Sequence, residues 1–346
     1  MLGLCVSLYS RGSTEYRDPY RIMSIAFSPG GKQVVTGHDR GGIKTWNLDG
    51  ADSQHLLKAY AQQTTQYSTV ELLAYSPDSR FIASMGQDFA MTVWDSGSGK
   101  EILTLQRAEG QRRISPYDIL WWSGDGRQIL YAGGGMLITW DAADGRVLSV
   151  LSGGEYGTFF GTTMAVSPNG KFLARGSIIA MQNEYDRDIL LWNLETNEKA
   201  GTIPAFSRGV YSMDFSSDGG YFLAASLSEG ILLWDIDSRE EVYRLDALDL
   251  RSAAFSPEGS SFMTVFPDRI EIRKTGTGEL IQTLATPQNR YQSKKAVYSP
   301  EGRFIVLGNN HNLIIWDTLT GEHTELPAEG TNGADNNAIH PSVPCG

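Results

Sequence analysis

Short apolar runs separated by polar turns recur along the whole chain. The first two runs cover residues 20–27 and 33–36 and are rich in aliphatic, aromatic and β-branched side chains. Runs of this length are too short for helices and predict β-strands. The residues between them, Ser28-Pro29-Gly30-Gly31, have the sequence of a type I turn, because proline fixes φ at the second corner and glycine is favoured at the fourth. The pattern therefore predicts antiparallel strands joined by tight turns.

This arrangement is the start of a repeat that occurs seven times. Each copy ends in a second motif, usually Trp-Asp or Trp-Asn, and in several copies a glycine-containing turn and another apolar run follow. Successive closing motifs are 39 to 52 residues apart, which predicts one propeller blade per copy. The closing position holds Arg273 in copy six and tryptophan in the other copies: Trp46, Trp94, Trp140, Trp192, Trp234 and Trp316.

Each copy is predicted to be a four-stranded antiparallel sheet with two apolar faces. Neither face can be covered within one copy, so the sheets must stack on one another. The expected fold is all-β, a seven-bladed β-propeller over residues 20–327, with the six tryptophans as wedges between blades. Burial of one indole, roughly 150–250 Å² at about 25 cal/mol/Å², would contribute at most about 4–6 kcal/mol. Arg273 either stacks on a neighbour or leaves its blade weaker, and we expect the second.

The repeated Trp-Asp pairs and Ser-Pro-x-Gly turns resemble the WD-repeat β-propeller family over about residues 20–320. By analogy, the resemblance implies a platform that binds other proteins. The Gly-His dipeptide that family members often carry ahead of the first strand is missing from every copy, and Gly37-His38 follows the second strand instead. We therefore expect that the family's buried network of His, Ser or Thr, Asp and Trp cannot be transferred to any blade.

The two ends of the chain bear on how the ring closes. Leu2, Leu4, Val6 and Leu8 alternate with other residues, which predicts a strand over residues 2–9 of an N-terminal segment 1–19. A propeller must close its ring or expose sheet edges. We expect residues 2–9 to become the outer strand of the last blade, and residues 323–326 are the alternative for that position. Residues 328–346 have no apolar pattern and are expected to be a disordered tail.

Composition excludes several classes of function. The 29 basic and 40 acidic residues give a net charge of −11, which argues against nucleic-acid and anionic-membrane partners. The two cysteines, Cys5 and Cys345, have no CxxC spacing, which excludes a disulfide framework and a cysteine zinc site. No apolar run reaches membrane-spanning length. We expect a monomeric, cytoplasmic propeller without a metal or another cofactor.

Connection length distinguishes the two rims of the predicted ring. The turns after the first and third strands are short and share one rim, which we call the bottom rim. The other connections are long, and they share the opposite rim, which we call the top rim: residues 62–69, 106–116, 152–161, 204–209 and 286–294, and an insertion at 177–188. Variation in repeat proteins concentrates on the functional face, so the top rim is the predicted working surface.

The top-rim connections contain arginines and large aromatic residues, which dominate interface hot spots. We predict that they bind a protein or peptide, which could be acidic or phosphorylated. The alternative is that each loop packs its aromatic residues inward and exposes its arginines to solvent. The candidates are Arg107, Arg112, Arg113, Tyr117, Tyr156, Phe159, Phe160, Tyr185, Arg187, Arg208, Tyr211, Arg251, Arg290, Tyr291 and Lys294, with Phe206 in the same group of loops.

The sequence shows no constellation typical of catalysis. The five histidines are scattered, and His38 and His311 are expected to be exposed turn residues rather than a metal pair with Asp39. We therefore expect a non-enzymatic scaffold. The alternatives are an enzyme or small-ligand propeller that uses the central channel, or a sensor module of a larger signalling or defence assembly.

Overall fold

The computed structural model describes residues 21–39, 41–48, 54–57, 69–86, 91–105, 118–133, 136–152, 162–177, 188–196, 198–286, 292–309 and 312–327. Within these residues the chain forms seven four-stranded antiparallel sheets, and each sheet is built from four consecutive strands. The predicted all-β, seven-bladed propeller is confirmed.

Blades one to four are built from sixteen strands. Their bounds are β1 (Ile22–Phe27), β2 (Gln33–His38), β3 (Ile43–Asn47), β4 (Gln54–Leu57), β5 (Val70–Tyr75), β6 (Phe81–Gly86), β7 (Met91–Asp95), β8 (Glu101–Leu105), β9 (Ile119–Trp122), β10 (Gln128–Gly133), β11 (Met136–Asp141), β12 (Val147–Ser152), β13 (Thr162–Val166), β14 (Phe172–Ser177), β15 (Ile189–Asn193) and β16 (Glu198–Ile203).

Blades five to seven are built from the other twelve strands. Their bounds are β17 (Ser212–Phe215), β18 (Tyr221–Ser226), β19 (Gly230–Asp235), β20 (Glu240–Leu245), β21 (Ser252–Phe255), β22 (Ser261–Val265), β23 (Arg269–Lys274), β24 (Leu280–Ala285), β25 (Gln292–Tyr298), β26 (Phe304–Asn309), β27 (Asn312–Asp317) and β28 (His323–Pro327).

The turn after each first strand is stabilised by its own serine. In blade two, the Ser79 N–H donates to the Ser76 carbonyl at 2.9 Å, as a type I turn requires. The Ser76 hydroxyl donates to Asp78 Oδ1 at 2.6 Å and accepts the Phe81 N–H at 2.9 Å. The fourth turn position has a positive φ, 71° at Gly31 and 62° at Ser79, which explains the preference for glycine there.

The first strand of each blade lies nearest the centre of the ring, because first strands of neighbouring blades contact each other, as β1 does with β5 and β25. Polar side chains link them. Ser24 Oγ donates to the Val70 carbonyl at 2.9 Å, and Ser212 Oγ donates to the Ala253 carbonyl at 3.1 Å. These bonds connect blade one to blade two and blade five to blade six.

The predicted tryptophan wedges lie between blades. Trp94 packs with Val35 and Ile43 of blade one, so it faces the preceding blade. Trp46, Trp140 and Trp316 are at most 2% exposed, and Trp94 is 5% exposed. The tryptophans at the equivalent positions of blades four and five, Trp192 and Trp234, are half-buried and pack at the edges of the clusters shared with the preceding blades.

Blade one contains a buried hydrogen-bond chain that the sequence analysis did not anticipate. Trp46 Nε1 donates to Thr36 Oγ1 at 2.9 Å, and that oxygen lies 2.9 Å from His38 Nε2. His38 is 1% exposed, so its assignment to an exposed turn was wrong. The histidine follows Thr36 by two residues on β2, and this spacing places both side chains on one face of the strand. The expectation that the family's network cannot be transferred to any blade therefore needs a correction for blade one, where a Trp–Thr–His chain forms with its histidine on β2 rather than ahead of the first strand.

Arg273 does not project freely into the junction between blades five and six. Its guanidinium donates to Glu271 Oε2 at 2.6 and 3.1 Å and to the Gly278 carbonyl at 2.9 Å. Phe262, its cross-strand partner, is fully buried in the apolar cluster of that junction. A phenylalanine therefore fills space at this junction while the arginine is hydrogen-bonded within its own blade. The lower stability expected for blade six stays a prediction.

The ring closes between blades one and seven through apolar packing. Ile22 and Trp46 share a buried cluster with Val306 and Leu313. A Cβ at Gly308 would lie 2.7 Å from Ile22 Cγ2, so the close approach of β1 to β26 requires glycine there.

The outer strand hydrogen-bonded to β27 is β28, the alternative left open by the sequence. The expectation that residues 2–9 take this position was therefore wrong, because β28 follows β27 after a short turn and pairs with it directly. Residues 2–9 and 328–346 lie outside the described residues, and the expected disorder of residues 328–346 stays a prediction.

The wedge role of Trp94 predicts a large loss of stability in Trp94→Ala. Removal of a buried indole leaves a cavity, and we expect the free energy of unfolding to fall by about 3–5 kcal/mol. Trp94→Phe keeps an aromatic ring but loses the 2.8 Å hydrogen bond from Trp94 Nε1 to Ser84 Oγ, and should cost less. Urea denaturation of both variants measures this order, and an unchanged midpoint for Trp94→Ala would exclude the wedge role.

Candidate functional site

The described part of the top rim lies mainly over blades four to six. It comprises residues 204–211, 226–230, 246–251 and 266–269, and it includes three predicted site residues, Arg208, Tyr211 and Arg251. Lys294 lies within β25, and nothing further is described for its side chain. The other candidates lie outside the described residues: Arg107, Arg112, Arg113, Tyr117, Tyr156, Phe159, Phe160, Tyr185, Arg187, Arg290 and Tyr291.

The loop that crosses from blade four to blade five is held by a carboxylate of blade five. Glu229, in the turn between β18 and β19, accepts the backbone N–H groups of Ser207 and Arg208 at 3.1 and 2.5 Å. It also accepts the Ser207 hydroxyl at 3.1 Å. Charge-assisted hydrogen bonds of this kind are stronger than neutral ones, so they hold the loop backbone in place.

An arginine of the outer strand β20 holds the other end of the same loop. Arg244 donates to the Pro204 and Ala205 carbonyls at 2.9 Å each, and its guanidinium carbon lies 5.3 Å from the centre of the Phe206 ring. Phe206 is 2% exposed. For this aromatic residue the alternative reading, inward packing, is the one the structure shows. Arg208 remains exposed at the loop tip.

The connection from blade five to blade six contacts the other side of the turn that carries Glu229. The Asp249 N–H donates to the Leu227 carbonyl at 2.9 Å. Asp249 has a positive φ of 61°, an unfavourable conformation for a residue other than glycine. Leu248, directly before it, is 73% exposed, and Arg251, just after it, is also exposed. The two loops and the turn thus present Arg208, Leu248 and Arg251, which we call the rim triplet.

The sequence analysis missed three residues of this surface. Glu229 and Arg244 act on a loop more than 20 residues away along the chain, and no short-range motif signals such pairing. Leu248 did leave a signal, because it is an apolar residue within the acidic connection Asp246-Ala247-Leu248-Asp249. Tyr211, which the sequence analysis included, is half-buried, and its backbone N–H donates to the Ala225 carbonyl at 2.8 Å.

A buried polar pair lies directly after one of the predicted binding loops. The Tyr131 hydroxyl donates to Asp118 Oδ2 at 2.8 Å, and Asp118 is 3% exposed. Burial raises the pKa of Tyr131 above its usual range, and the neighbouring Asp118 raises it further. The pair lies at the point where the chain enters β9, so it anchors the first strand of blade three.

The bottom rim carries the acidic turn residues. The Ser216 hydroxyl lowers the pKa of Asp218, and the Gly220 N–H lowers it further. Ser123 and Ser76 have the same effect on the pKa values of Asp125 and Asp78. These carboxylates accept hydrogen bonds within their own turns, which explains their recurrence without a ligand.

Two observations on the described residues concern metals and small ligands. No group of three or more His, Cys, Asp or Glu side chains that could hold a metal occurs within them. A cavity of about 30 Å³ between blades three and four is lined by apolar residues such as Met136, Leu151 and Trp192. That volume is about one water molecule, so we interpret the cavity as a packing gap. No helix among the described residues is long and apolar enough to cross a membrane.

Comparison with known proteins finds similarity to one family of repeats. A family model for the WD domain, G-beta repeat, matches residues 12–47 and 197–235. Autophagy-related protein 16 of Arabidopsis thaliana is 23% identical over 92% of this chain and 62% of its own length. Protein tipD of Dictyostelium discoideum is 26% identical over 78% of this chain and 43% of its own. WD repeat-containing protein 1 of Gallus gallus is 23% identical over 97% and 55%. The chain thus spans about half the length of the curated relatives it matches.

The bottom-rim carboxylates predict an acid-sensitive component of stability. Each folded-state pKa lies below the unfolded value of about 3.9, so this stabilisation is present above that pH and is lost as the pH falls through the folded-state value. Asn169 makes the same contacts in blade four without titrating. We therefore expect the melting temperature of the triple variant Asp78→Asn, Asp125→Asn, Asp218→Asn to fall less than that of wild type when the pH is lowered from 5 to about 2.5. Parallel pH profiles in thermal denaturation would contradict this.

The anchor role of Asp118 predicts a difference between two equivalent deletions of a hydroxyl group. Tyr131→Phe removes the bond to Asp118 and should lower the free energy of unfolding by about 1–2 kcal/mol. Tyr75→Phe is the matched control, because its buried hydroxyl has no hydrogen-bond partner among the described residues. Its removal should leave stability unchanged or slightly higher. Equal losses in urea denaturation would refute the anchor role.

Proposed function

We propose, from the premise that this chain is a WD-repeat β-propeller, that it is a non-enzymatic scaffold whose top rim binds a partner protein or peptide. The rim triplet carries this proposal. Arg208 is exposed on backbone that Glu229 and Arg244 hold in place. Leu248 and Arg251 are exposed on the next connection, where the Asp249 and Arg251 N–H groups donate to the Leu227 and Val265 carbonyls. Because these loops are held before any partner arrives, association would require little ordering of the protein.

The chemistry of the triplet indicates the class of partner. Arg208 and Arg251 offer guanidinium groups that match carboxylates or phosphates, and Leu248 offers an apolar contact beside them. We therefore propose a segment with an acidic or phosphorylated residue next to an apolar one. The net charge of −11 means that two local arginines, rather than the overall field, would select such a segment.

The relatives support the coarser part of this proposal. Their names include an autophagy-related protein and a WD repeat-containing protein, and neither name describes an enzyme. Since the chain covers only part of their length, the partners and pathways of those proteins are not assigned to it.

A capture experiment with matched baits tests the proposal. We expect wild type to retain partner proteins from source lysate that are lost with Arg208→Glu, Leu248→Ser, Arg251→Glu. The control bait carries the same kinds of change on the bottom rim, Arg80→Glu, Arg127→Glu, Leu319→Ser, at exposed positions.

Both variants are checked for folding by circular dichroism. Loss from both baits, or from neither, would reject the top-rim assignment. Phosphatase treatment of the lysate distinguishes a phosphorylated partner from an acidic one, because only the phosphorylated partner should no longer be captured by wild type after treatment.

A further inference from the structure

The outer strands of the blades differ in how their free edges are protected. Each is the last strand of its sheet and pairs only with the third strand of its blade among the described residues. An unpaired strand edge exposes backbone N–H and C=O groups to which another strand can bind, and proteins usually block such edges with charge or proline. This surface is separate from the rim triplet, and it extends the proposed function.

A charged or imidazole side chain occupies the same position in most of these edges. The position lies directly opposite the tryptophan slot. It is exposed in each case and holds Glu101 in β8, Lys199 in β16, Glu241 in β20 and His323 in β28.

Blade six lacks this protection. The residue opposite Arg273 is Leu280, and β24 contains neither a charged residue nor a proline. Leu280 is 47% exposed and Ile281 is 59% exposed. After a bulge at Ile281, the pairing of β24 with β23 is regular as far as Ala285. The outer strand β24 is therefore uncharged and mostly unbulged, and the exposed residues at its start, Leu280 and Ile281, are apolar.

The charges around β24 indicate what could bind there. Glu279 is exposed just before the strand, Glu240 is exposed on β20, and Glu322 is exposed just before β28. Glu241 on β20 is already paired with Arg244 at 2.8 Å, and Glu325 on β28 accepts a hydrogen bond from Asn312 at 2.9 Å. Lys274, at the end of β23, is the exposed basic residue that precedes β24. A second copy of this chain would place the same acidic groups against these. A basic segment would instead complement them. The outer strand β12 also lacks charge, but Arg146 is exposed just before it, so the same argument does not apply there.

We propose that the outer edge of β24 binds an extended segment of a partner protein by strand addition. The bound segment has uncharged β-branched residues at its centre and lysine or arginine at its ends. Its backbone pairs with the free edge of β24, its central side chains cover Leu280 and Ile281, and its basic ends face the surrounding glutamates.

A synthetic peptide with two lysines at each end and six alternating valines and threonines between them is the probe. We expect fluorescence anisotropy to show saturable binding to wild type that weakens with salt. Leu280→Glu, which restores the charge found in β8 and β20, should weaken binding at least about tenfold. Thr283→Glu is a second exposed variant within the regular part of the edge. Val242→Glu is the matched control, because Val242 is the exposed residue at the equivalent bulge of the protected strand β20, and it should bind like wild type.

Two further probes separate strand addition from other contacts. A peptide N-methylated on every residue of its centre has no backbone N–H donor on either edge and should not bind. A peptide with glutamates in place of the lysines should bind at least about tenfold more weakly. The proposal is overturned if wild type does not bind the lysine peptide, if Leu280→Glu and Thr283→Glu bind as wild type does, or if the N-methylated peptide binds equally. Dimerisation through β24, seen by sedimentation as a wild-type dimer that Leu280→Glu dissolves, would replace the peptide by a second copy and would also overturn it.

Discussion

The whole structure depends on the burial of two apolar faces by every blade. A four-stranded sheet of this sequence cannot cover either face alone, so each blade is stable only between two others. The tryptophan at the end of the third strand fills most of these junctions, as Trp94 does between blades one and two. Because the same requirement applies to blades one and seven, the chain must return to its start. Ile22 and Trp46 meet Val306 and Leu313 there.

This constraint leaves the two rims with different freedom. On the bottom rim the serine and carboxylate of the turns in blades two, three and five satisfy one another and the local backbone, as Ser216 and Asp218 do. Such turns have few polar groups available for a partner. The top rim must span from one blade to the next, and its described connection from blade four to blade five is fixed by two side chains of blade five, Glu229 and Arg244. That arrangement fixes the backbone and leaves the side chains at the loop tips exposed.

The fold could be predicted from the sequence because its determinants are local and repeated. The Ser-Pro-x-Gly and Trp-Asp motifs each determine the conformation of a few neighbouring residues. Seven copies at this spacing predict one architecture, a ring of blades in which the apolar faces are buried. The candidate site could be predicted only in outline, since Arg208 and Arg251 are visible as loop arginines but Glu229 acts on Arg208 from 21 residues away. His38 was misassigned for a related reason. Its burial follows from the hydrogen bond to Thr36 and the packing of Trp46. Neither contact can be predicted from the turn propensity of the residues around His38.

Blade six shows how one departure from the repeat produces another. In the blades whose outer strand is protected by a charged or imidazole side chain, a tryptophan on the third strand faces the preceding blade, and the residue opposite it on the outer strand is polar, as with Trp234 and Glu241. In blade six the polar and apolar residues are exchanged, because Arg273 lies on the third strand and Leu280 lies opposite it on the outer strand. Glu271 accepts hydrogen bonds from Arg273 and Arg269. Burial raises the pKa of Glu271, but the two arginines outweigh that effect, and the pKa is lowered overall. If Leu280 served only to cover Arg273, it would be buried, yet nearly half of it is exposed and its neighbour Ile281 is more so. The exchange therefore leaves apolar surface on the outer wall of the ring, at a strand edge that most of the other blades protect with a polar side chain.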